Sequence, residues 1–190
     1  MEVSNGAGAI NSFALVSYLS GPLADFLDEL RHDFAPDSRA KAHVTVLPPR
    51  PLQLTPRSAT IEQAWREMRD RLLDFQPFRV ELGDVQVFPL NRVIYLSVQA
   101  GGEQLQRMHD NLNSGLLEFQ EPFRYHPHVT IVQELAPEDV PPAADFARWR
   151  WNEFSHPRNF TVERLTFVQN SLEKSWTDLC ELDLADQLTR

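Results

Sequence analysis

Cysteine, basic leader segments and long apolar runs are scarce in this chain of 190 residues, and each scarcity excludes a class of protein. The lone cysteine, Cys180, cannot form an intramolecular disulfide or a Cys-x-x-Cys metal site. No apolar run approaches the roughly 18 residues that a membrane-spanning helix requires. The N-terminus, Met-Glu-Val-Ser-Asn-Gly, lacks the basic start of a secretory signal. We therefore expect a cytoplasmic protein with no membrane partner.

Positive charge is also in short supply. The chain carries 27 acidic and 18 basic side chains, for a formal net charge of −9. Long duplex nucleic acid requires a basic surface, so this charge balance argues against broad electrostatic capture of such a partner. Lysine occurs only as Lys41 and Lys174, and arginine, whose planar fork suits phosphate, supplies the rest. A small phosphorylated ligand or a nucleic-acid end is the compatible partner.

Several catalytic motifs are missing. The sequence has no Gly-x-Ser-x-Gly elbow, no Walker-type loop and no cysteine near a histidine motif, so ATP-dependent ligation is unsupported. His126 and His128 form His-Pro-His, but a metal would need further ligands at suitable spacing, and no obvious set exists. We therefore predict neither a metal nor a cofactor.

Two tetrads stand out, His-Val-Thr-Val at residues 43–46 and His-Val-Thr-Ile at residues 128–131. Successive side chains of a strand point to opposite faces, so each histidine would share a face with its threonine while the apolar residues pack behind. Paired imidazoles can act as acid and base near neutral pH, and threonine hydroxyls can donate to phosphate oxygens. One such tetrad fits a core histidine, whereas two at matching places favour a phosphoester site.

Hydrophobic periodicity predicts alternating strands and helices along most of the chain. The predicted strands are residues 13–19, the first tetrad, 78–88, 92–98, the second tetrad, 160–168 and 176–184. The predicted helices are residues 22–33, a segment capped by Thr60, a segment opened by Gly101-Gly102 with a core stripe ending at Phe119, and residues 143–151. The hairpin strands are 78–88 with 92–98, and 160–168 with 176–184.

This order places strand, helix, tetrad strand and helix twice along the chain, with the tetrads about half a chain apart. Such a repeat is typical of a diverged duplication within one α+β domain, here residues 1–190. Two similar lobes that face each other would bring the tetrads together across a cleft. We expect a monomer, because one chain then supplies both halves of the site.

Residues 43–49, His-Val-Thr-Val-Leu-Pro-Pro, and 127–131, Pro-His-Val-Thr-Ile, resemble the paired motifs of the 2H phosphoesterase superfamily. That superfamily includes the bacterial 2′–5′ RNA ligase-like proteins and cyclic nucleotide phosphodiesterases. The resemblance covers about residues 12–185. It implies a bilobal, pseudo-symmetric α+β fold in which antiparallel sheets form a central groove and helices pack outside.

The same resemblance implies metal-independent hydrolysis of 2′,3′-cyclic phosphates of nucleotides or RNA ends, or reversible 2′–5′ ligation. His43 and His128 become the catalytic pair, the first as acid and the second as base. Thr45 and Thr130 become the phosphate-binding residues. The alternative is a non-catalytic nucleotide or RNA-end binding module that uses the same groove, and a third hypothesis is a structural protein with accidental tetrads.

The sequence departs from the family pattern at one residue that would neutralise the negative charge of a phosphate. Several ligase-like branches place an arginine shortly after the second tetrad, where this chain has Val-Gln-Glu at 132–134. Arg124 is one replacement candidate, and Arg50 and Arg92 are others, although each also fits an ordinary surface arginine. Tyr125 or Phe123 could stack on a base, although packing in the core or rim suits them equally.

The remaining histidines suggest no further site. His32 and His109 lie in helical patterns beside acidic residues, which predicts surface positions. His156 precedes a proline in a predicted loop.

Overall fold

Eight strands and four α-helices alternate through residues 9–52, 60–172 and 175–184, the parts of the chain that the computed structural model describes. The strands are β1 (Ala9–Tyr18), β2 (His43–Arg50), β3 (Phe78–Val87), β4 (Ile94–Ala100), β5 (His128–Val132), β6 (Asn159–Val162), β7 (Arg164–Ser171) and β8 (Trp176–Asp183). The helices are α1 (Gly21–Phe34), α2 (Ile61–Leu72), α3 (Gly102–Leu112) and α4 (Val140–Glu153).

The strands form two antiparallel sheets, ordered β2-β1-β7-β8 and β5-β4-β3-β6. Among the described strands, each tetrad strand lies at a sheet edge and pairs with the strand before its own helix, β1 for β2 and β4 for β5. The duplicated order of strand, helix, tetrad strand and helix is therefore present. The α+β fold with two antiparallel sheets is confirmed.

The two halves of the chain cross over each other. Helix α1 connects β1 to β2 yet packs against β5 of the other sheet, and α3 connects β4 to β5 yet packs against β2. The edge strands β2 and β5 also contact each other. This crossing places both tetrads at the junction of the two sheets, over one continuous apolar core.

The alternation within the tetrads follows the strand period. Val44, Val46 and Val129 are 0% exposed and Ile131 is 1% exposed, whereas the histidine and threonine of each tetrad are partly exposed. Burying four β-branched side chains fixes the register, because a slip of one residue would turn them all to solvent. The core thus determines which face presents the polar pairs.

Local hydrogen bonds define two of the element boundaries. The backbone N–H of Gln63 donates to the Thr60 hydroxyl, and the Thr60 N–H donates back to the Gln63 side chain, so the predicted cap of α2 is confirmed. The β3–β4 hairpin closes through Arg92, whose φ is 58°. Its backbone N–H donates to the Phe88 carbonyl at 2.9 Å.

Two sequence predictions are wrong in detail. Residues 160–168 are not one strand, because β6 pairs with β3 in the second sheet while β7 pairs with β1 in the first. The chain leaves one sheet and enters the other at Glu163. The β7–β8 hairpin itself is as predicted.

Helix α3 is also shorter than predicted, since it ends at Leu112 and Leu116 is 38% exposed. The backbone leaves the helical conformation at Asn113 and is extended at Ser114, and Gly115 then adopts a left-handed φ of +61°. A helical stripe extended to Phe119 therefore does not form.

Candidate active site

The junction of the two sheets brings all four polar tetrad residues together. His43 and Thr45 leave one side of β2, and His128 and Thr130 leave one side of β5, the strand that contacts β2. The two imidazoles lie close enough for the charge of His128 to act on the pKa of His43. The four polar side chains therefore lie at one site between the two edge strands, which we call the groove.

Each imidazole forms a hydrogen bond with the backbone carbonyl of the residue two positions before it. His43 Nδ1 lies 2.7 Å from the carbonyl oxygen of Lys41, and His128 Nδ1 lies 2.6 Å from that of His126. A carbonyl oxygen only accepts, so Nδ1 carries the hydrogen in each ring and Nε2 is the nitrogen available for proton transfer. The carbonyl two residues upstream thus fixes tautomer and ring orientation on both sides of the groove.

The electrostatic setting disfavours a proton on either ring while the groove is unliganded. Burial lowers the pKa of His43 to about 4; the bond to the Lys41 carbonyl opposes this, and the positive charges of Arg31 and His128 reinforce it. Burial also lowers the pKa of His128, against the effect of the His126 carbonyl. A bound phosphate anion would act in the opposite direction, because it stabilises an imidazolium.

An aromatic wall flanks His43. The Trp176 ring centroid lies 5.0 Å from that of His43, and Tyr18 meets the same imidazole edge-on at 6.3 Å. The Tyr18 hydroxyl donates to Asp178 at 2.7 Å, and burial together with this bond raises the tyrosine pKa, so Tyr18 stays protonated. A recess opens beside His43, and it is lined by Tyr18, Arg39, Ala40, Lys41, Trp176 and Asp178.

A second aromatic wall flanks His128. Phe88 and Tyr95 stack with centroids 3.9 Å apart, and they meet the His128 ring edge-on at 5.0 and 5.3 Å. His126 meets Phe88 edge-on at 5.4 Å. Each histidine therefore lies beside a pair of aromatic rings, and the recess beside His43 also contains the cations Arg39 and Lys41.

The sequence alone did not single out the four aromatic residues of these walls. The available signal was weak: Tyr18, Phe88 and Trp176 lie at or next to the ends of predicted strands, where side chains border a groove. Which face each ring occupies depends on strand register, for example the pairing of Tyr18 with His43 across β1 and β2.

The predicted replacement arginines have different surroundings. Arg124 is exposed and lines a shallow depression together with Tyr125 and His126, and Arg92 is exposed at the β3–β4 turn. Arg50 is not a surface arginine, since it is 2% exposed and donates to Asn113 and to the Glu121 carboxylate. Arg50 is therefore committed to a buried ion pair.

Tyr125 is buried, with 9% exposure, and its hydroxyl donates to the backbone carbonyl of Thr45 at 2.7 Å. Its ring stacks on His109 with centroids 4.1 Å apart. The predicted surface position of His109 is wrong, because this ring is 6% exposed. His109 lies four residues after Leu105 and three before Leu112, on the buried stripe of α3. Phe123, the other aromatic candidate, is 53% exposed.

A metal site requires several ligand side chains that converge on one point, and the structure describes residues 9–52, 60–172 and 175–184. Within them, no three histidine, cysteine, aspartate or glutamate side chains converge as a metal site would require. In the same part of the chain, no helix has the length and apolar character needed to cross a membrane.

Two His-x-Thr-x edge strands that contact each other at the junction of the two sheets are the distinguishing feature of this site. Residues 19–173 match the profile of the 2′-5′ RNA ligase superfamily. The chain belongs to that superfamily. The resemblance inferred from the paired motifs is thereby confirmed.

Relatives of this superfamily member share its length as well as its sequence. A protein of Bacillus licheniformis is 24% identical over 169 residues, which cover 87% of this chain and 94% of the relative. A protein of Geobacillus kaustophilus is 30% identical over 153 residues, which cover 76% and 84% of the two chains. Both relatives are provisionally named phosphoesterases. The chain thus belongs with enzymes of the 2H phosphoesterase kind.

Solved structures show the same fold. E. coli LigT in its apo form superposes with a TM-score of 0.59 at 14% identity, over 92% of this chain and 98% of LigT. LigT complexed with 3′-AMP gives a TM-score of 0.58 at 15% identity, over the same shares of the two chains. At this identity the likeness establishes a shared architecture for the superfamily member.

Proposed function

We propose that this protein is a metal-independent phosphodiesterase that hydrolyses 2′,3′-cyclic phosphates of nucleotides or of RNA ends. The supporting observation is the pair of imidazoles in one groove, each with Nδ1–H fixed on a carbonyl and Nε2 left available. A threonine two residues on accompanies each of them. Two imidazoles and two threonine hydroxyls suit a reaction that needs one base, one acid and hydrogen-bond donors for a phosphate.

The proposed reaction proceeds in one displacement at phosphorus. One neutral imidazole takes a proton from water through Nε2 while the water oxygen bonds to phosphorus. The other imidazole, protonated, gives its proton to the ribose oxygen as the phosphorus–oxygen bond breaks. Water and cyclic phosphate thus become a phosphomonoester and a free hydroxyl. Thr45 and Thr130 donate to the nonbridging oxygens, where negative charge grows.

The lining of the groove supports a small nucleotide or RNA end as the substrate. Lys41 and Arg39 supply positive charge at the recess beside His43, in a chain without an arginine shortly after the second tetrad. Trp176 on one side and the stacked Phe88 on the other offer ring faces suited to a base. The net charge of −9 weighs against long duplex substrates.

The test is turnover of 2′,3′-cyclic nucleotides, and of a short RNA with a 2′,3′-cyclic phosphate end, in EDTA. His43→Ala and His128→Ala should each lower the rate by about 10²–10⁴-fold, as expected for loss of an acid or base. His32→Ala is the matched control, because His32 is exposed on α1. Equal rates in wild type and both site variants would overturn the assignment, and the product isomer would identify the leaving oxygen.

A second candidate is a binding module that holds the same ligands without turnover. It is favoured by the lowered pKa of both imidazoles, which leaves the pair without the proton that an acid must supply. Saturable binding of a nucleotide by wild type, weakened in His43→Ala and accompanied by no product, would support this candidate over hydrolysis.

A further inference from the structure

The backbone carbonyls of the two tetrad threonines are bound in the same unusual way. The Thr45 carbonyl accepts a hydrogen bond of 2.7 Å from the Tyr125 hydroxyl, and the Thr130 carbonyl accepts one of 2.6 Å from the Arg31 guanidinium. Tyr125 precedes the second tetrad, whereas Arg31 belongs to α1, the helix that leads to the first. Each tetrad is thus bound by a side chain from the other half of the duplication.

Edge strands explain why such bonds are needed. Within the described part of the chain, β2 and β5 each have a strand partner on one side, so the backbone groups on their outer sides do not bond to another strand. A buried carbonyl without a donor is costly, and an unpaired edge is free to shift relative to its neighbour. The tyrosine and arginine supply the missing donors where the two edges meet.

Arg31 also binds the segment that orients His43. Its guanidinium donates to the Ala40 carbonyl at 2.6 Å, and Asp28, one turn earlier on α1, accepts from the Ala42 backbone N–H at 2.7 Å. Between these two residues lies Lys41, whose carbonyl fixes the His43 ring. Arg31 is 7% exposed. One buried cation therefore connects the support of His43 with the strand that carries His128.

Tyr125 is held in place by a buried polar chain that starts at the far end of β2. Arg50, the last residue of that strand, donates to Glu121, whose carboxylate lies 2.9 Å from His109 Nε2. The His109 ring stacks nearly parallel to Tyr125, with 4° between the planes. The tyrosine that binds Thr45 is thus itself fixed by contacts on α3 and the loop after it.

We propose that Arg31 and Tyr125 are positioning residues that set the relative placement of the two catalytic histidines. Each connects one tetrad strand to the opposite half of the chain through a threonine backbone carbonyl. The proposal rests on the proposed function, since acid and base must reach opposite oxygens of one phosphate. A misplacement of about 1 Å in such a pair can lower the rate by about 10²-fold.

The test compares Tyr125→Phe, Arg31→Met and Arg31→Lys with wild type on a 2′,3′-cyclic nucleotide. Tyr125→Phe keeps the ring and loses the donor, so we expect kcat to fall about 10-fold with little change in KM. Arg31→Met removes the bonds to the Ala40 and Thr130 carbonyls and should lower kcat by about 10²-fold. Arg31→Lys should recover part of the rate, because its ammonium can form one of these two bonds again. Arg31→Met should also move the acidic limb of the pH profile upward, because a positive charge near His43 is gone.

The matched control is Arg150→Met. Arg150 lies on α4 and pairs with Asp33 of α1 at 2.5 Å, so its loss also removes an arginine that packs α1 against a neighbour. It should leave kcat unchanged. Rates of the Tyr125 and Arg31 variants equal to this control would overturn the proposal, as would losses that only track the fraction of unfolded protein in thermal melts.

Hydrogen exchange separates this proposal from the function it rests on. In Tyr125→Phe the amides of β2, and in Arg31→Met those of β5, should exchange faster, while the core strand β1 keeps its protection. If wild type shows no turnover, the proposed function fails, and the exchange pattern alone decides the positioning role. Unchanged exchange in β2 and β5 of both variants would then overturn it.

Discussion

The lowered pKa values of the site histidines make the pH dependence of turnover a demanding test. Burial lowers the pKa of His43 to about 4 and lowers that of His128 from its ordinary 6.5. At a pKa of about 4, roughly one His43 ring in a thousand is protonated at pH 7. The proposed reaction needs one protonated and one neutral imidazole, and the pair titrates as a unit. The free protein therefore reaches its productive state on the acidic side of neutrality.

The expected result is a bell-shaped profile of kcat/KM with its maximum below about pH 6.5, since kcat/KM reports the free enzyme. On the alkaline limb the value should fall by up to about tenfold per pH unit. The profile of kcat should lie at higher pH, because the bound phosphate anion stabilises the imidazolium. Initial rates on a 2′,3′-cyclic nucleotide at constant ionic strength in EDTA provide both profiles.

Two results would refute this reasoning. One is a kcat/KM maximum at or above about pH 7.5, and the other is a pair of ordinary titration midpoints for both rings by NMR of labelled histidine. The pH dependence of stability is an independent check on the direction of the His43 pKa shift. Between pH of about 4 and 6.5 the unfolded chain binds a proton at residue 43 that the folded chain does not. The free energy of unfolding should therefore fall as the pH is lowered through this window.

Three further predictions concern single substitutions. Thr45→Val and Thr130→Val should each lower kcat on a cyclic nucleotide by no more than about 10²–10³-fold, the range for loss of one oxyanion donor, and rates equal to wild type would remove them from the phosphate site. Arg50→Met should lower the free energy of unfolding in urea by about 3–5 kcal/mol, because it removes the cation of a buried ion pair with Glu121, whose carboxylate keeps its contact with His109; a loss under about 1 kcal/mol would contradict this. Gly101→Ala should destabilise by more than about 1 kcal/mol in the same assay, since φ is +84° and a Cβ would meet a backbone carbonyl oxygen at 2.5 Å; wild-type stability would show that the loop relaxes freely.

Some parts of the fold were accessible from sequence because their signals are local. The cap of α2 is one, since Thr60 and Gln63 are three residues apart and satisfy each other's backbone groups. The β3–β4 hairpin is another, since its short turn joins two apolar strands. By contrast, the division of residues 160–168 between two sheets could not be predicted from the sequence, because each half pairs with a strand far away in sequence.

The burial of two polar side chains was equally difficult to predict from the sequence. Arg31 and His109 occupy positions on helical stripes that the core buries, four residues after Leu27 and Leu105 respectively. That spacing was a usable signal, but a charged residue on a stripe ordinarily marks its boundary. The hydrogen-bond partners that compensate their burial come from other parts of the chain. Arg31 donates to a threonine carbonyl 99 residues away, and His109 lies beside the carboxylate of Glu121.

The sequence by itself determined the two His-x-Thr-x strands, the faces that their residues occupy, the duplicated order of elements and hence the superfamily. These follow from side-chain alternation and helical period, which act over a few residues. Only the tertiary structure decided that α1 and α3 cross to opposite sheets, that aromatic walls flank each histidine, and that Arg31 and Tyr125 bind the tetrad carbonyls. Those arrangements depend on which distant surfaces bury each other, and a buried donor finds its acceptor only when the whole core has packed.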